Sequence, residues 1–412
     1  MRPYSSALLA LLFLSTFACS AGKEQPTEYS FRIFDENGVS VAETMNGPKY
    51  SSPLFTVEEV ARIHEDESIQ QSLLTGPRWM GIDEEGMIYV FDGMSHSEES
   101  RLVVFDQVGC FSHVIGRTGY GPGEYRDPDL LSISRGVISL YDAELRRISW
   151  FSTDGEFLRL FTCAPDESLP GQAYLDSENY QILIYRTRTS RRTINKRAIT
   201  LSPDGEPCGI VETQRVRSYA GLELNEGLWT TPPHFCGSAM IDYSPDHDIM
   251  CTTGNEAVVE WYGLAGELQK VFRLGLEPGP VTEEDRALAD SYFRDLFLVG
   301  SQLGEDLYRE WKRRERFPKS RAFWNDASID EYGYLWLTDP SSHFHPTVKH
   351  YRVVAPDGEY LGDCFLPNGL PQRFGRISRG HYLLMDIDWR GERQDLIVYR
   401  LKPAIEGLQF PE

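Results

Sequence analysis

The sequence lacks the short motifs that mark the common catalytic and metal sites. It contains no GxSxG nucleophile elbow, no phosphate-binding P-loop, no HExxH motif and no CxxC pair. These absences disfavour an α/β-type serine hydrolase, a P-loop nucleotidase and a structural zinc site. Beyond residue 21 the sequence also has no apolar run long enough to cross a membrane as a helix.

Basic residues are scarce relative to acidic ones. The chain of 412 residues has 41 Lys and Arg against 62 Asp and Glu, for a formal net charge of -21. Nucleic acids and anionic membrane surfaces both attract basic proteins, so neither is expected as a partner. The negative charge would attract cations such as calcium, but no calcium site is identified and a solvated acidic surface accounts for it. No cofactor is expected.

The N-terminus has the features of an export signal. Arg2 supplies a short positive region, and residues 7–17 form an apolar stretch too short to span a bilayer. Small residues follow this stretch, as they do before a signal cleavage site. We therefore expect a signal peptide over residues 1–21 and a protein exported to the periplasm or cell envelope.

The end of the signal peptide is compatible with two cleavage sites. The sequence TFAC at residues 16–19 is similar to a bacterial lipoprotein signal, in which Cys19 would become the lipidated first residue. The alternative is plain cleavage after Ala21. In the first case residues 22–28 would form a tether, and a lipid anchor would be the protein's only attachment to a membrane.

Turn signals recur along the rest of the chain. A β-rich run leads into a short turn that ends in glycine at six places, Gly38, Gly109, Gly155, Gly205, Gly266 and Gly358. Such turns between β-rich runs predict hairpins, because glycine accepts a positive φ without steric cost. The first intervals after Gly109 match one four-stranded propeller blade of about 40–50 residues.

Each unit also contains an earlier hairpin signal, which gives four strands per unit. Six units are predicted, at residues 77–116, 128–163, 172–214, 234–275, 322–367 and 372–402. The last unit lacks a clear outer strand, whereas residues 29–43 and 54–61 provide spare strands before the first. We therefore predict an all-β fold, a single six-bladed β-propeller over residues 29–412, in which N-terminal strands close the last blade.

Residues 281–318 interrupt this pattern between units four and five. Thr282 and Asp285 form a capping-box-like start, and apolar residues then recur at helical spacing. The sequence therefore predicts a helical insertion of two segments that lies across one end of the propeller.

One glycine-rich stretch carries a family resemblance. Residues 116–125 read GRTGYGPGEY, and Pro128 follows. This stretch resembles the G-R-x-G-x-G-P-G-E-[FY] signature of a bacterial six-bladed β-propeller lipoprotein family related to NHL-repeat propellers. The resemblance implies the propeller fold and an exported location, and it implies little chemistry. Arg117 and Glu124 are interpreted as an ion pair that holds the loop in shape.

The inner strand of each propeller blade lines the central channel, so residues at the starts of these strands are candidates for ligand contact. The candidates are Arg78, Trp79, Tyr125, Arg126, Asp127, His234, Trp324, Asn325 and Arg373. Aromatic rings and guanidinium groups suit a peptide, protein or glycan ligand. The competing interpretation is that the aromatic residues wedge the blades together and the arginines form ion pairs between blades.

The leading functional prediction is a monomeric, exported, lipid-anchored propeller that binds a peptide, protein or glycan at its channel face without catalysis. The alternative is a metal-assisted, lactonase-like hydrolase or lyase, for which His234, Asn325 and Asp326 are weak candidate ligands. Convergence of three or more ligand-type side chains on the channel would favour the enzyme. The sequence alone leaves open whether the protein is an enzyme.

Overall fold

The computed structural model describes most of the chain beyond residue 28. The described residues are 29–93, 100–126, 128–134, 136–142, 144–162, 170–176, 178–190, 193–214, 216–217, 220–224, 227–231, 235–244, 248–300, 304–314, 317–345, 347–368, 374–387, 394–408 and 410. Within these ranges, no helix has the length and apolar character that crossing a membrane requires.

Three strands precede the first blade, namely β1 (Ser30–Glu36), β2 (Val39–Met45) and β3 (Phe55–Arg62). Blade 1 consists of β4 (Pro77–Ile82), β5 (Ile88–Asp92), β6 (Arg101–Phe105) and β7 (Phe111–Ile115). A short parallel pair follows, β8 (Arg117–Thr118) and β9 (Glu124–Tyr125). Blade 2 consists of β10 (Pro128–Ser134), β11 (Val137–Asp142), β12 (Arg147–Ser152) and β13 (Phe157–Thr162).

Blade 3 consists of β14 (Gln172–Leu175), β15 (Gln181–Ser190), β16 (Thr193–Leu201) and β17 (Pro207–Glu212). Three short strands lead out of it, β18 (Val216–Arg217), β19 (Ala220–Leu224) and β20 (Gly227–Thr231). Blade 4 consists of β21 (Met240–Tyr243), β22 (Ile249–Thr252), β23 (Val258–Tyr262) and β24 (Leu268–Leu274).

Two helices, α1 (Glu283–Gly300) and α2 (Gly304–Arg314), come next. Blade 5 consists of β25 (Asp326–Ile329), β26 (Leu335–Thr338), β27 (Val348–Val354) and β28 (Tyr360–Pro367). The last strands are β29 (Phe374–Ser378), β30 (His381–Ile387) and β31 (Gln394–Pro403). Short 3-10 helices lie at Gln70–Ser72 and Pro340–His343. The predicted six-bladed all-β propeller is thereby confirmed.

The ring is closed by a strand from the N-terminal segment. β3 pairs antiparallel with β31, so blade 6 has the order β29-β30-β31-β3 and takes strands from both ends of the propeller. Phe55 of β3 packs against Trp336 of blade 5 and against Phe410, with ring centroids 5.7 and 4.7 Å apart. The predicted closure of the last blade by N-terminal material is confirmed for this strand.

The β1–β2 hairpin takes a place that the sequence did not predict. It extends blade 4, where β2 runs parallel to β24 and pairs Ser40 with Lys270. The chain then crosses the outer strand of blade 5, where the Lys49 N–H donates to the Tyr360 carbonyl oxygen at 2.9 Å. Residues 29–62 therefore run along blades 4, 5 and 6 in turn. Both hairpin and crossing cover strand edges that would otherwise be unpaired.

The helical insertion lies between blades 4 and 5, as predicted. Its start is capped as expected, since the Asp285 N–H donates to Thr282 Oγ1 at 3.1 Å and the Thr282 N–H donates to Asp285 Oδ2 at 2.8 Å. Phe293 of α1 stacks on Trp311 of α2 and also contacts Phe344, in the loop between β26 and β27. The helices therefore pack against loops of blades 4 and 5, at the end where the inner strands of these blades begin.

The glycine-rich stretch is a connector from blade 1 to blade 2 that a buried arginine holds in place. Arg147, at the start of β12, donates to the carbonyl oxygens of Tyr120, Gly121 and Glu124 at 2.7, 2.9 and 2.6 Å. The predicted ion pair forms, with Arg117 Nε 2.6 Å from Glu124 Oε1. The glycines of the signature therefore have a structural explanation that requires no ligand.

Two of those glycines are required by close approach. A Cβ on Gly119 would lie 2.2 Å from Glu124 Oε2, and one on Gly116, which has a φ of 69°, would lie 2.5 Å from the Tyr125 ring. The Tyr125 ring is buried, and its hydroxyl donates to the Ile115 carbonyl oxygen at 2.7 Å and accepts from the Leu102 N–H at 2.9 Å. Tyr125 therefore fastens the connector to blade 1.

Replacement of Tyr125 by Phe should destabilise the protein. The Tyr125→Phe change leaves the buried Leu102 N–H and Ile115 carbonyl without this hydroxyl partner, at an expected cost of about 1–3 kcal/mol. Urea unfolding followed by tryptophan fluorescence measures it. The matched control is Tyr120→Phe, because the Tyr120 side chain is exposed. Equal unfolding midpoints for the two variants would contradict this role of the Tyr125 hydroxyl.

Two truncations separate the roles of the N-terminal strands. Removal of residues 1–48 deletes the β1–β2 hairpin but leaves β3, so we expect a closed ring with a lower unfolding temperature. Removal of residues 1–62 also deletes Phe55 and exposes the edge of β31, and we expect loss of cooperative unfolding. Scanning calorimetry measures the unfolding transition of both proteins. A sharp transition for the protein that lacks residues 1–62 would show that β3 is dispensable.

Candidate functional site

A cavity of about 290 Å³ occupies the centre of the ring and is lined by all six blades. Its wall includes residues from the inner strands β10, β14, β21, β25 and β29, and from the turn between β4 and β5. The side chains are mostly polar and carry charges of both signs. The cavity is therefore the central channel of the propeller and the principal candidate site in the described part of the chain.

Asp242 of β21 joins three blades across the channel. Its Oδ1 accepts from the Tyr174 hydroxyl of blade 3 at 2.7 Å and from the Tyr243 N–H at 2.9 Å. Its Oδ2 accepts from the Ile329 N–H of blade 5 at 3.0 Å. Burial raises the pKa of Asp242 above its usual range, although these hydrogen bonds oppose the shift.

Four cationic side chains line the same cavity, Lys196, Lys349, Arg376 and Arg379. Burial lowers the pKa of Lys196, and the carboxylates of Asp326 and Asp242 oppose that shift. Lys349 Nζ lies 3.3 Å from the Gly375 carbonyl oxygen and 5.2 Å from the centroid of the Tyr351 ring. The Arg376 guanidinium lies over Trp79, with Cζ 5.1 Å from the ring centroid.

The other end of the channel is closed by polar contacts between turns. Glu331 accepts from the Ser378 hydroxyl at 2.7 Å and from the Arg379 N–H at 2.8 Å. The Arg379 guanidinium in turn forms an ion pair with Glu84 of blade 1 at 2.8 Å. Both members of this pair also border an open groove beside the turn between β4 and β5. The Glu84–Arg379 pair therefore separates the channel from that groove.

Asp330 lies next to this closure and is almost completely buried. Its Oδ1 accepts from the Tyr332 and Tyr334 N–H groups, and its Oδ2 accepts from Trp336 Nε1 at 2.9 Å. Burial raises the pKa of Asp330 to about 7, although the Trp336 hydrogen bond opposes the shift. This acid therefore changes charge near neutral pH.

Two of the residues singled out from the sequence border channel space. Asp326 lines the main cavity. Trp79 lines a smaller cavity of about 60 Å³ that shares Gln172, Tyr174 and Arg376 with the main one. Trp79 therefore has the channel position predicted for a ligand-binding residue, and a role in binding stays a prediction.

Arg78 and Arg126 lie away from the main cavity. Arg78 Nη2 donates to the Pro128 carbonyl oxygen at 3.4 Å, between blades 1 and 2, and its guanidinium lies over the Phe91 ring. Arg126 forms an ion pair with Glu144 at 3.3 Å. The competing interpretation proposed ion pairs between blades for the arginines. Arg78 instead binds a carbonyl oxygen, and Arg126 pairs with a residue of blade 2, the blade that its own connector enters.

Tyr125 and Trp324 are buried and so are not exposed to a ligand at the channel mouth. Their exposed fractions are 1% and 0%. Trp324 packs between blades 4 and 5 and donates from Nε1 to Thr252 Oγ1 at 3.2 Å. Asn325, whose N–H donates to the Thr338 carbonyl oxygen at 3.1 Å, does not line the cavity. The large aromatic side chains here serve packing, because their area stabilises the blade interface.

Four predicted residues, Cys19, Asp127, His234 and Arg373, lie outside the described residues. Of the candidate metal ligands only Asn325 and Asp326 are therefore placed, and only Asp326 reaches the cavity. In the described ranges no group of three or more His, Cys, Asp or Glu side chains is placed to hold a metal ion.

Sequence reasoning missed Lys196 and Lys349 because both lie on third strands of their blades. β14 pairs only with residues 181–184 of β15, whereas Lys196 of β16 pairs with Arg186, beyond that end. Likewise β26 pairs with β27 from Tyr351 onward, so Lys349 extends past it. A third strand that extends past the end of the short inner strands can thus place a side chain in the channel. Strand length was the only available signal, and strand ends are hard to place from sequence.

The sequence matches a family model over residues 82–206. That model, DUF5128, is described as a 6-bladed beta-propeller. The match spans parts of blades 1 to 3 and includes the glycine-rich connector. No curated protein matches the sequence at a significant level. The family description agrees with the six-bladed propeller fold of this protein.

Several solved structures are similar to the chain at low identity. One is a Bacteroides fragilis protein described as exported, with 12% identity, 89% of this chain and 100% of that chain covered, and a TM-score of 0.48. A DUF4221 family member from Bacteroides vulgatus has 12% identity, 85% and 98% coverage, and a TM-score of 0.43. Virginiamycin B lyase from Staphylococcus aureus has 11% identity, 85% and 90% coverage, and a TM-score of 0.37. These likenesses are too distant to carry an argument about function.

The raised pKa of Asp330 predicts a pH dependence of stability. Between about pH 4 and pH 7 the unfolded chain releases this proton while the folded protein retains it, so stability falls as the pH rises. The fall should amount to a few kcal/mol, up to about 4. An Asp330→Asn variant should lose less stability than the native protein between pH 5 and pH 7.5, as measured by urea unfolding. Parallel profiles for the two proteins would show that Asp330 ionises normally.

Proposed function

We propose that this protein is an exported, non-catalytic propeller that binds part of a peptide, protein or glycan in its central channel. The observation that carries the proposal is the 290 Å³ cavity, which all six blades line and which holds lysines, arginines, carboxylates and tyrosines. Ligand sites of this kind are concave and hold a small number of well-placed polar groups.

The size of the cavity limits what can enter it. Small-molecule sites usually measure about 300–1,000 Å³. A cavity at the lower end of that range admits one sugar residue or one side chain. A longer ligand would place a single unit in the channel and leave its remainder outside the cavity.

Export and anchoring are part of the same proposal and rest on the N-terminal sequence. If Cys19 is lipidated, nine residues separate it from Tyr29, the first described residue, and the chain takes ten Cα-to-Cα steps between them. An extended chain of that length reaches about 35 Å. The Tyr29 hydroxyl donates to Glu359 Oε1 at 2.5 Å, so the tether would leave the propeller beside blade 5.

The proposal of a metal-assisted hydrolase or lyase has less support. It needs ligand-type side chains that converge on the channel, and Asn325 and Asp326 do not converge, since only Asp326 lines the cavity. Binding without catalysis is therefore the function that the described geometry supports best.

A variant with a blocked channel tests the proposal. Ala327 lines the cavity, so Ala327→Trp should fill it, and Ala265→Trp places the same ring on an exposed turn as the control. A collection of short peptides and oligosaccharides is screened by thermal unfolding. A ligand at one hundred times its Kd should stabilise the native protein and the control by about 2.7 kcal/mol and leave the blocked variant unaffected.

The screen can also refute the proposal. If every stabilising compound acts equally on the native and blocked proteins, the compounds bind elsewhere and the channel is not the site. The blocked variant must first give the native far-UV circular dichroism spectrum. If it does not, Ser328→Gln, at another residue that lines the cavity, replaces it in the same comparison.

A further inference from the structure

We infer that the group bound in the channel is a hexuronate, a sugar ring that carries a carboxylate and hydroxyl groups. This inference rests on the proposed binding function and names the class of its ligand. It follows from which polar groups of the channel already have partners and which do not.

The carboxylates of the channel are largely engaged by the protein. Asp242 accepts three hydrogen bonds, Asp330 accepts three, and Glu331 accepts two. Glu84 is paired with Arg379. A carboxylate has about four acceptor positions, so these groups have little capacity left for a ligand. A cationic ligand would therefore find few open anionic partners here.

Of the four cations that line the channel, Arg379 is paired with Glu84, and the other three differ from it. Among the described residues, no salt bridge joins Lys196, Lys349 or Arg376 to a carboxylate. Lys349 makes one long contact to a carbonyl oxygen, and Arg376, which lines the cavity, lies on the face of Trp79. Three cationic groups with open donors around one cavity indicate an anionic ligand group.

The anion that fits is a carboxylate. Asp242 and Asp326 lie in the same cavity, and their charges would repel a doubly charged phosphate more strongly than a singly charged carboxylate. Arg376 offers the planar guanidinium that binds a carboxylate through two parallel hydrogen bonds. Lys196, whose charge is already disfavoured by burial, would gain a counter-charge when such a ligand binds.

Open acceptors beside these cations indicate hydroxyl groups on the same ligand. Gln172 Oε1 is buried without a hydrogen-bond partner and borders both cavities. Asp326 is exposed and accepts a hydrogen bond from the adjacent Ala327 N–H at 3.0 Å. A hexuronate supplies hydroxyl donors on the ring that bears its carboxylate, whereas a peptide C-terminus has only an adjacent amide N–H. The acceptors therefore favour the saccharide.

Titration calorimetry with the purified full chain tests this inference, using D-glucuronate, D-glucose and diglycine as probes. Glucuronate should bind about tenfold or more tightly than glucose, because a charge-assisted hydrogen bond to the carboxylate is added. Arg376→Gln and Lys196→Gln should each weaken glucuronate binding about tenfold and weaken glucose binding by a smaller factor. The control is Lys402→Gln, because Lys402 pairs with Glu58 on the exposed outer strands of blade 6. Ala327→Trp should abolish binding of all probes.

Three results would overturn the inference. Each can be told apart from a failure of the proposal that the channel is a binding site. Equal binding of glucose and glucuronate that is lost in Ala327→Trp would refute carboxylate recognition but retain the channel as the site. Tighter binding of diglycine than of glucuronate would identify a peptide terminus as the ligand group. Absence of glucuronate binding would refute the hexuronate, while the screen with the blocked variant still decides whether the channel binds anything.

Discussion

The pairing of β3 with β31 is the constraint on which the rest of the structure depends. A propeller blade has two free sheet edges, and a ring of blades is stable only if its first and last members are held together. Here the last blade takes its outer strand from the N-terminal segment. That segment also covers blade 4 through β2 and hydrogen-bonds to blade 5 through Lys49. The channel has its shape because these contacts keep all six inner strands facing one axis.

Buried carboxylates also stabilise the individual blades, because they hold the connectors between strands in place. Asp92 at the end of β5 accepts from the Thr75 and Gly76 N–H groups at 2.8 and 2.7 Å, and Asp142 at the end of β11 accepts from the Arg126 N–H at 2.6 Å. Each thereby holds the connector that leads into its own inner strand. Burial removes these two carboxyl groups from water, which costs free energy. Hydrogen bonds from backbone N–H donors offset that cost. The protein's many acidic residues are thus partly structural.

The channel combines charges of both signs. Its lining includes Lys196, Lys349 and Arg376 together with acidic residues such as Asp242 and Asp326. Removing the cations from water is costly unless an anion or these nearby carboxylates balance their charge. Binding of an acidic saccharide would supply that balance at the one place where all blades meet.

The sequence by itself determined the blade count, the strand-and-turn pattern, the helical insertion and the ion pair within the glycine-rich connector. These features are local, since turn glycines, capping residues and alternating strands depend on neighbours within a few positions. Only the tertiary structure decided that the β1–β2 hairpin lies on blade 4, that Tyr125 and Trp324 are buried, and that Lys196 and Lys349 reach the channel. The physical reason is that burial and convergence depend on strand lengths and blade contacts between residues far apart in the chain. Local sequence patterns therefore predict the fold, whereas the candidate site is located only by the geometry of the closed ring.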